Sequence, residues 1–145
     1  MGTIVVGVDG SPESQAALEW ALGEAKLRGA AVKVVHAWVM PIAFAGGAPP
    51  FVLPEAHEAF DSEGEKILDD ALAAAGGGVG EGVAVERSVV EGPAAQCLLR
   101  AAADADLLVL GSRGRGGFAG LLLGSIGQQC AHHARCPVVI VRGKE

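Results

Sequence analysis

Residues 107–126 read LLVLGSRGRGGFAGLLLGSI, and the first half of that stretch decides the fold. Leu107 to Leu110 is a short run without a polar residue, the pattern of a strand covered on both faces, and Asp104-Ala105-Asp106 leads into it. The glycine-rich loop that follows gives way to a segment of helical character from Leu121 to Ala134. Pro137 breaks that segment, and Val138-Val139-Ile140-Val141 forms a last strand before the charged tail Arg142-Gly143-Lys144-Glu145. Two strands joined through a helix pair in parallel with a right-handed crossover.

The same alternation runs back to the start of the chain. Thr3 to Val8 is a β-branched run that stops at Asp9-Gly10-Ser11-Pro12. Ser11 suits a helix cap and Pro12 the first helical position, with Ala17, Leu18, Ala21, Leu22 and Ala25 at helical spacing until Gly29. Ala31 to Trp38 reads as a second strand, and Met40 to Pro54 as a long loop rich in proline, glycine and small apolar residues, long enough to close over a site. A helix from Pro54 buries Ile67, Leu68, Ala71, Leu72 and Ala75 and breaks at Gly76-Gly77-Gly78. Val83 to Val90 reads as a third strand with one wetter face, near a sheet edge, and Gly92-Pro93 opens a short helix through Leu98, Leu99 and Ala102. The order βαβαβαβαβ predicts one α/β domain over residues 1–145, an open five-stranded parallel sheet with helices on both faces.

Composition agrees. The 145 residues are 50% hydrophobic but 4% aromatic, so the core must be built from Val, Leu, Ile and Ala. The formal charge of -6 argues against a general affinity for nucleic acid or anionic lipid, although Arg113 and Arg115 form a local cationic cluster that suits a phosphate. Cys97, Cys130 and Cys136 lack CxxC or zinc spacing and read as packed thiols in a reducing compartment. The run from Met1 has no basic region or apolar segment long enough to span a bilayer, so a cytoplasmic protein without membrane association is expected.

In open parallel sheets, ligands bind beyond the carboxyl ends of the strands where the strand order reverses. If the first and fourth strands are neighbours, Asp9 and Gly111 meet at such a crevice. Glycines after a buried strand allow positive φ and let backbone amides approach a phosphate, and a helix start beyond them favours an anion. Two familiar phosphate loops fail on missing residues. A Walker A loop needs a lysine, and none occurs between Lys66 and Lys144. A dinucleotide loop needs a ribose-binding carboxylate, and none lies between Asp106 and Glu145.

What remains is the spacing G-x2-G-x9-G-[ST] of Gly111, Gly114, Gly124 and Ser125, together with IVVGVDGSPES near the start, VVHAW, and CPVVIVR near the end. These features resemble the ATP-binding branch of the universal stress protein family over essentially the whole chain. The resemblance implies strand order 3-2-1-4-5 in an adenine nucleotide alpha-hydrolase-like fold. It implies that Gly7, Val8, Asp9 and Ala37 surround adenine and ribose, that Leu110 and Gly111 lie on the ribose side, and that Gly114, Gly124, Ser125 and Ile126 lie on the phosphate side. Arg113 adds charge, although the motif does not fix that residue. The ligand so implied is ATP, with AMP and cyclic AMP as alternatives and Mg²⁺ carried by the phosphates. A homodimer through the edge strand Val138–Val141 is implied as well.

Simpler roles stand beside these. Asp9 also suits the turn before the first helix, Ser125 a place within the last one, and His36 a hydrogen-bonded position in the core. His132 and His133 at a helix end suit the helix dipole. No residue is assigned a catalytic or metal-ligating role, and hydrolysis is expected to be slow at most, since no base for an attacking water is identifiable. A nucleotide-binding regulatory or stress-response role is the primary expectation. An ATPase or nucleotidyl-transfer domain and a scaffold that dimerises without nucleotide are its competitors.

Overall fold

The computed structural model describes residues 2–40, 46–50, 54–76, 81–113 and 123–143. Among them, strands and helices alternate as β1 (Thr3–Gly7), α1 (Pro12–Arg28), β2 (Ala31–Trp38), α2 (Pro54–Ala75), β3 (Val85–Glu91), α3 (Ala94–Ala101), β4 (Leu107–Gly111), α4 (Ser125–His133) and β5 (Val138–Val141). All pairings are parallel and the sheet order is β3-β2-β1-β4-β5, with Val5 opposite both Lys33 and Leu108. The fold expected from the alternation is the one observed. Strand ends differ slightly: β1 stops one residue before Val8, and β3 runs Val85–Glu91 rather than from Val83. The second glycine of that spacing, Gly114, lies outside the described residues, as do Arg115 and much of the Met40–Pro54 loop.

Side-chain alternation along the strands builds two cores. Ile4, Val6, Val32, Val34, Leu107 and Val109 point to one face, where α1 and α2 cover them with Leu18, Leu22 and Leu68. Val5, Val35, Leu108 and Leu110 point to the other, covered by Ala95 and Leu98 of α3 and Cys130 of α4. A strand buried on both faces must be apolar at every position, which is why β4 reads as an unbroken hydrophobic run. The outer strands are wetter. β3 is largely exposed and β5 is half-buried throughout.

The first helix shows how local sequence sets an element. Ser11 sits in extended geometry at the N-cap and its Oγ accepts the Ser14 amide at 3.2 Å, while Pro12 occupies a position whose N–H would go unused. Gly29 ends the helix at φ 66°, where its N–H donates to the Ala25 carbonyl. The second helix crosses the sheet at Gly64, where an added Cβ would come within 2.7 Å of Val89 and 2.9 Å of His36. His36 is buried there, and its Nδ1 lies 2.8 Å from the Val8 carbonyl. A carbonyl only accepts, so that nitrogen carries the proton. His36 is therefore a satisfied core residue, tying the end of β1 to β2.

Candidate functional site

The order of the sheet reverses between β1 and β4, and their carboxyl ends open into a cavity of about 180 Å³. Gly7, Val8, Asp9, Ala37, Leu110, Gly111, Arg113, Gly124, Ser125 and Ile126 all line it. Gly114 falls outside the described residues.

The β1 side is heavily hydrogen-bonded. Asp9 Oδ1 accepts from the Ser11 amide at 2.9 Å and the Ser11 hydroxyl at 2.5 Å, so Asp9 does shape the turn before α1 while also facing the cavity. Ser14 closes the turn, accepting from the Asp9 amide at 3.2 Å and donating to the Ser11 carbonyl at 3.0 Å. Gly10, at φ 86°, is the residue of this turn that needs glycine. The Val8 backbone is also engaged: its N–H donates to the Val35 carbonyl at 2.9 Å and its carbonyl faces His36.

Ala37 is different. The Val35 carbonyl points toward β1, and the Trp38 carbonyl points the other way, accepting from the Gly92 amide at 2.7 Å. Backbone groups alternate along a strand, so the N–H and C=O of Ala37 point the same way as those of Val35, past the last residue of β1. They present an adjacent donor and acceptor at the mouth of the crevice.

On the β4 side, the expected reason for the glycines changes. Neither Gly111 nor Gly124 has positive φ. Gly111 is required by packing: an added Cβ would lie 2.7–2.8 Å from the backbone and Cβ of Glu13, so α1 rests directly on the end of β4. Gly124 is the N-cap of α4 at φ -71° and ψ 168°, and no side chain caps that helix. Its amide donates to the Ser112 carbonyl at 2.7 Å, and the Ser112 amide donates to the Val141 carbonyl at 2.8 Å, which together fix the start of α4 against the ends of β4 and β5. Ser125 is exposed and Ile126 half-buried. Ser125 and Ile126, which carry the first amides of α4, line the cavity at the positive end of the helix dipole, and among the described residues no side chain caps them.

Charge is divided across the site. Arg113 lines the cavity, with Nη2 3.6 Å from Oε1 of Glu13. On the inner face of α4 burial pushes the Cys130 thiol up to about 11, and burial raises Cys136 just beyond the helix as well, so neither is activated as a thiolate. Among the described residues no three His, Cys, Asp or Glu side chains gather into a metal site.

Sequence reasoning missed Ser14, Val35, Ala94, Leu98, Ser112 and Gly127, which also line the cavity. Val35 was within reach, since it shares a strand face with Ala37. Ala94 and Leu98 were not, because they enter from α3 across a crossover that carries no local signal.

The model of the universal stress protein family matches residues 1–142. A universal stress protein of Mycolicibacterium smegmatis is 37% identical over 142 residues, which cover 96% of this chain and 45% of that protein. The chain thus spans about half the length of the curated relatives it matches. Among solved structures, the universal stress protein UspA from Lactobacillus plantarum superposes with a TM-score of 0.79 at 23% identity, covering 97% of both chains, and shows the same fold. A universal stress protein crystallised in complex with cAMP superposes with a TM-score of 0.66 at 28% identity, covering 99% of this chain and 98% of that one.

Proposed function

The chain belongs to the universal stress protein family, and on that premise we propose that it binds an adenine nucleotide, ATP foremost, at the β1–β4 junction in a regulatory or stress-response role. The observation that carries the reading is the start of α4. Its uncapped amides face a cavity that Arg113 also lines, the arrangement that receives a phosphate, while Ala37 offers a backbone donor and acceptor of the kind that reads an adenine edge. In this reading Asp9 meets the ribose, Leu110 and Gly111 flank it, and Gly124, Ser125 and Ile126 hold the phosphates. The complex of a similar protein with cAMP supports the adenine nucleotide class. Mg²⁺ would be carried by the phosphates, because among the described residues the site supplies the Arg113 cation and backbone amides rather than a carboxylate cage.

The role is one of binding rather than rapid turnover. Among the described residues lining the cavity Asp9 is the carboxylate, and it is drawn into the turn by Ser11 rather than held as a free base. β5 is an edge strand, half-buried and apolar, and the proposal includes a cytoplasmic homodimer paired through it. Calorimetric titration with ATP, AMP and cyclic AMP tests the reading. Saturable heat with at least one of them is expected. No heat and no rise in melting temperature with any of the three would overturn it, and the scaffold alternative would stand in its place.

A further inference from the structure

The acidic residue that pairs with the cavity's arginine is not among those lining the cavity. Glu13, in the first turn of α1, lies in a slot left by two glycines at the ends of neighbouring strands. An added Cβ on Gly111 would collide with its backbone at 2.7–2.8 Å, and one on Gly143 would lie 3.1–3.4 Å from its Cγ, Cδ and Oε1. The slot holds the carboxylate at 19% exposure with Oε1 3.6 Å from Arg113 Nη2, while Arg113 itself is 37% exposed and reaches the cavity. A ligand entering the cavity thus meets a cation that is already partly neutralised from behind.

We infer that Glu13 is a specificity-determining residue: by holding Arg113 it weakens the grip of the site on phosphate-rich nucleotides relative to phosphate-poor ones. The inference rests on the nucleotide reading above. A half-exposed ion pair at this separation is a weak one, and a phosphate that accepts two N–H bonds from a guanidinium competes with it readily. The cost of drawing Arg113 away from Glu13 then falls on ligands that need the cation, and the repulsion from the Glu13 carboxylate adds to it in proportion to the phosphate charge placed nearby. Adenosine, which places none there, escapes it.

The test is calorimetry with adenosine, AMP and ATP on the wild type, Glu13→Gln, Arg113→Gln and the double variant. Glutamine keeps the shape that fills the slot and removes the charge. ATP should bind Glu13→Gln about fivefold more tightly, AMP by a smaller factor, and adenosine with no more than about a 1.5-fold change. In the Arg113→Gln background the same substitution should bring no gain. Equal gains for all three ligands, no gain for ATP, or a gain that persists without Arg113 would each overturn the inference. Should Glu13→Gln lose its helical circular dichroism signal, Glu13→Asp takes its place, keeping the helix-start charge but withdrawing it from Arg113, and ATP should again gain most. A wild type that binds none of the ligands defeats the nucleotide reading itself, a result distinct from binding that Glu13 does not modulate.

Discussion

Three helices begin at the cavity, and two of them, α1 and α4, treat their starts in opposite ways. At α1 every local device is in place: Ser11 accepts the Ser14 amide, Pro12 has no amide to satisfy, Asp9 gathers the Ser11 hydroxyl and amide, and Glu13 sits in the first turn. At α4 the N-cap is Gly124, with no side-chain acceptor among the described residues and no acidic residue in the first turn. A glycine at the cap forgoes only a few tenths of a kcal/mol of helix stability relative to a good side-chain cap. The backbone does not demand glycine there, since φ -71° and ψ 168° suit any residue. One start is closed on itself and positions the sheet; the other opens on the cavity.

The sharpest way to break that contrast is to cap the open helix. Gly124→Asp puts an acceptor and a negative charge where Gly124 now has neither, and the extended N-cap geometry accommodates it. Stability should hold or rise by a few tenths of a kcal/mol, on the order of the gap between glycine and a good cap. Affinity for ATP should fall on the order of a hundredfold, because a carboxylate replaces the phosphate at the same amides. Urea unfolding and ATP titration on one preparation separate the two effects. Loss of stability together with binding would mean that Gly124 serves the fold after all.

The closed side breaks through packing. Gly111→Ala places a methyl group within 2.7 Å of the Glu13 backbone, so α1 must shift off the end of β4. The expected destabilisation is about 1–3 kcal/mol by urea unfolding, with ATP affinity reduced as a consequence of the displaced β4 end. A cost below about 0.5 kcal/mol would show that α1 slides freely there, and the rigidity assigned to this side would be wrong.

The contrast also marks what could be read from sequence. β4 was legible because a strand buried on both faces must be wholly apolar, and α1 because Ser11, Pro12 and Gly29 are local signals that act within one turn. The wetter reading of β3 followed from its alternating charges and placed it correctly at an edge. The reason for Gly111 was not legible. Its neighbour Glu13 lies far away in sequence, and the contact exists only because α1 packs over β4, so a glycine suited to positive φ proved to be one required by helix-on-strand contact. The engagement of the Val8 carbonyl by His36 likewise depends on how β2 lies beside β1. Positions around the cavity were therefore readable, while the duties of individual groups at those positions were not.

The smallest expected effect is also the most discriminating between the two helix starts. Ser11→Ala removes the cap of α1 and one of the two bonds that Ser11 makes to Asp9 Oδ1, leaving the bond from its amide at 2.9 Å. The helix should lose about 1 kcal/mol, the usual worth of a serine cap, seen as a lower urea midpoint with an unchanged slope. Asp9 stays in its turn through the remaining amide bond and through its own N–H to Ser14. ATP affinity should accordingly change by less than about twofold, a difference under 0.5 kcal/mol. If affinity instead drops by about tenfold while stability barely moves, the Ser11 hydroxyl orients Asp9 for the ligand rather than capping the helix. The start of α1 would then belong to the binding site as fully as the start of α4.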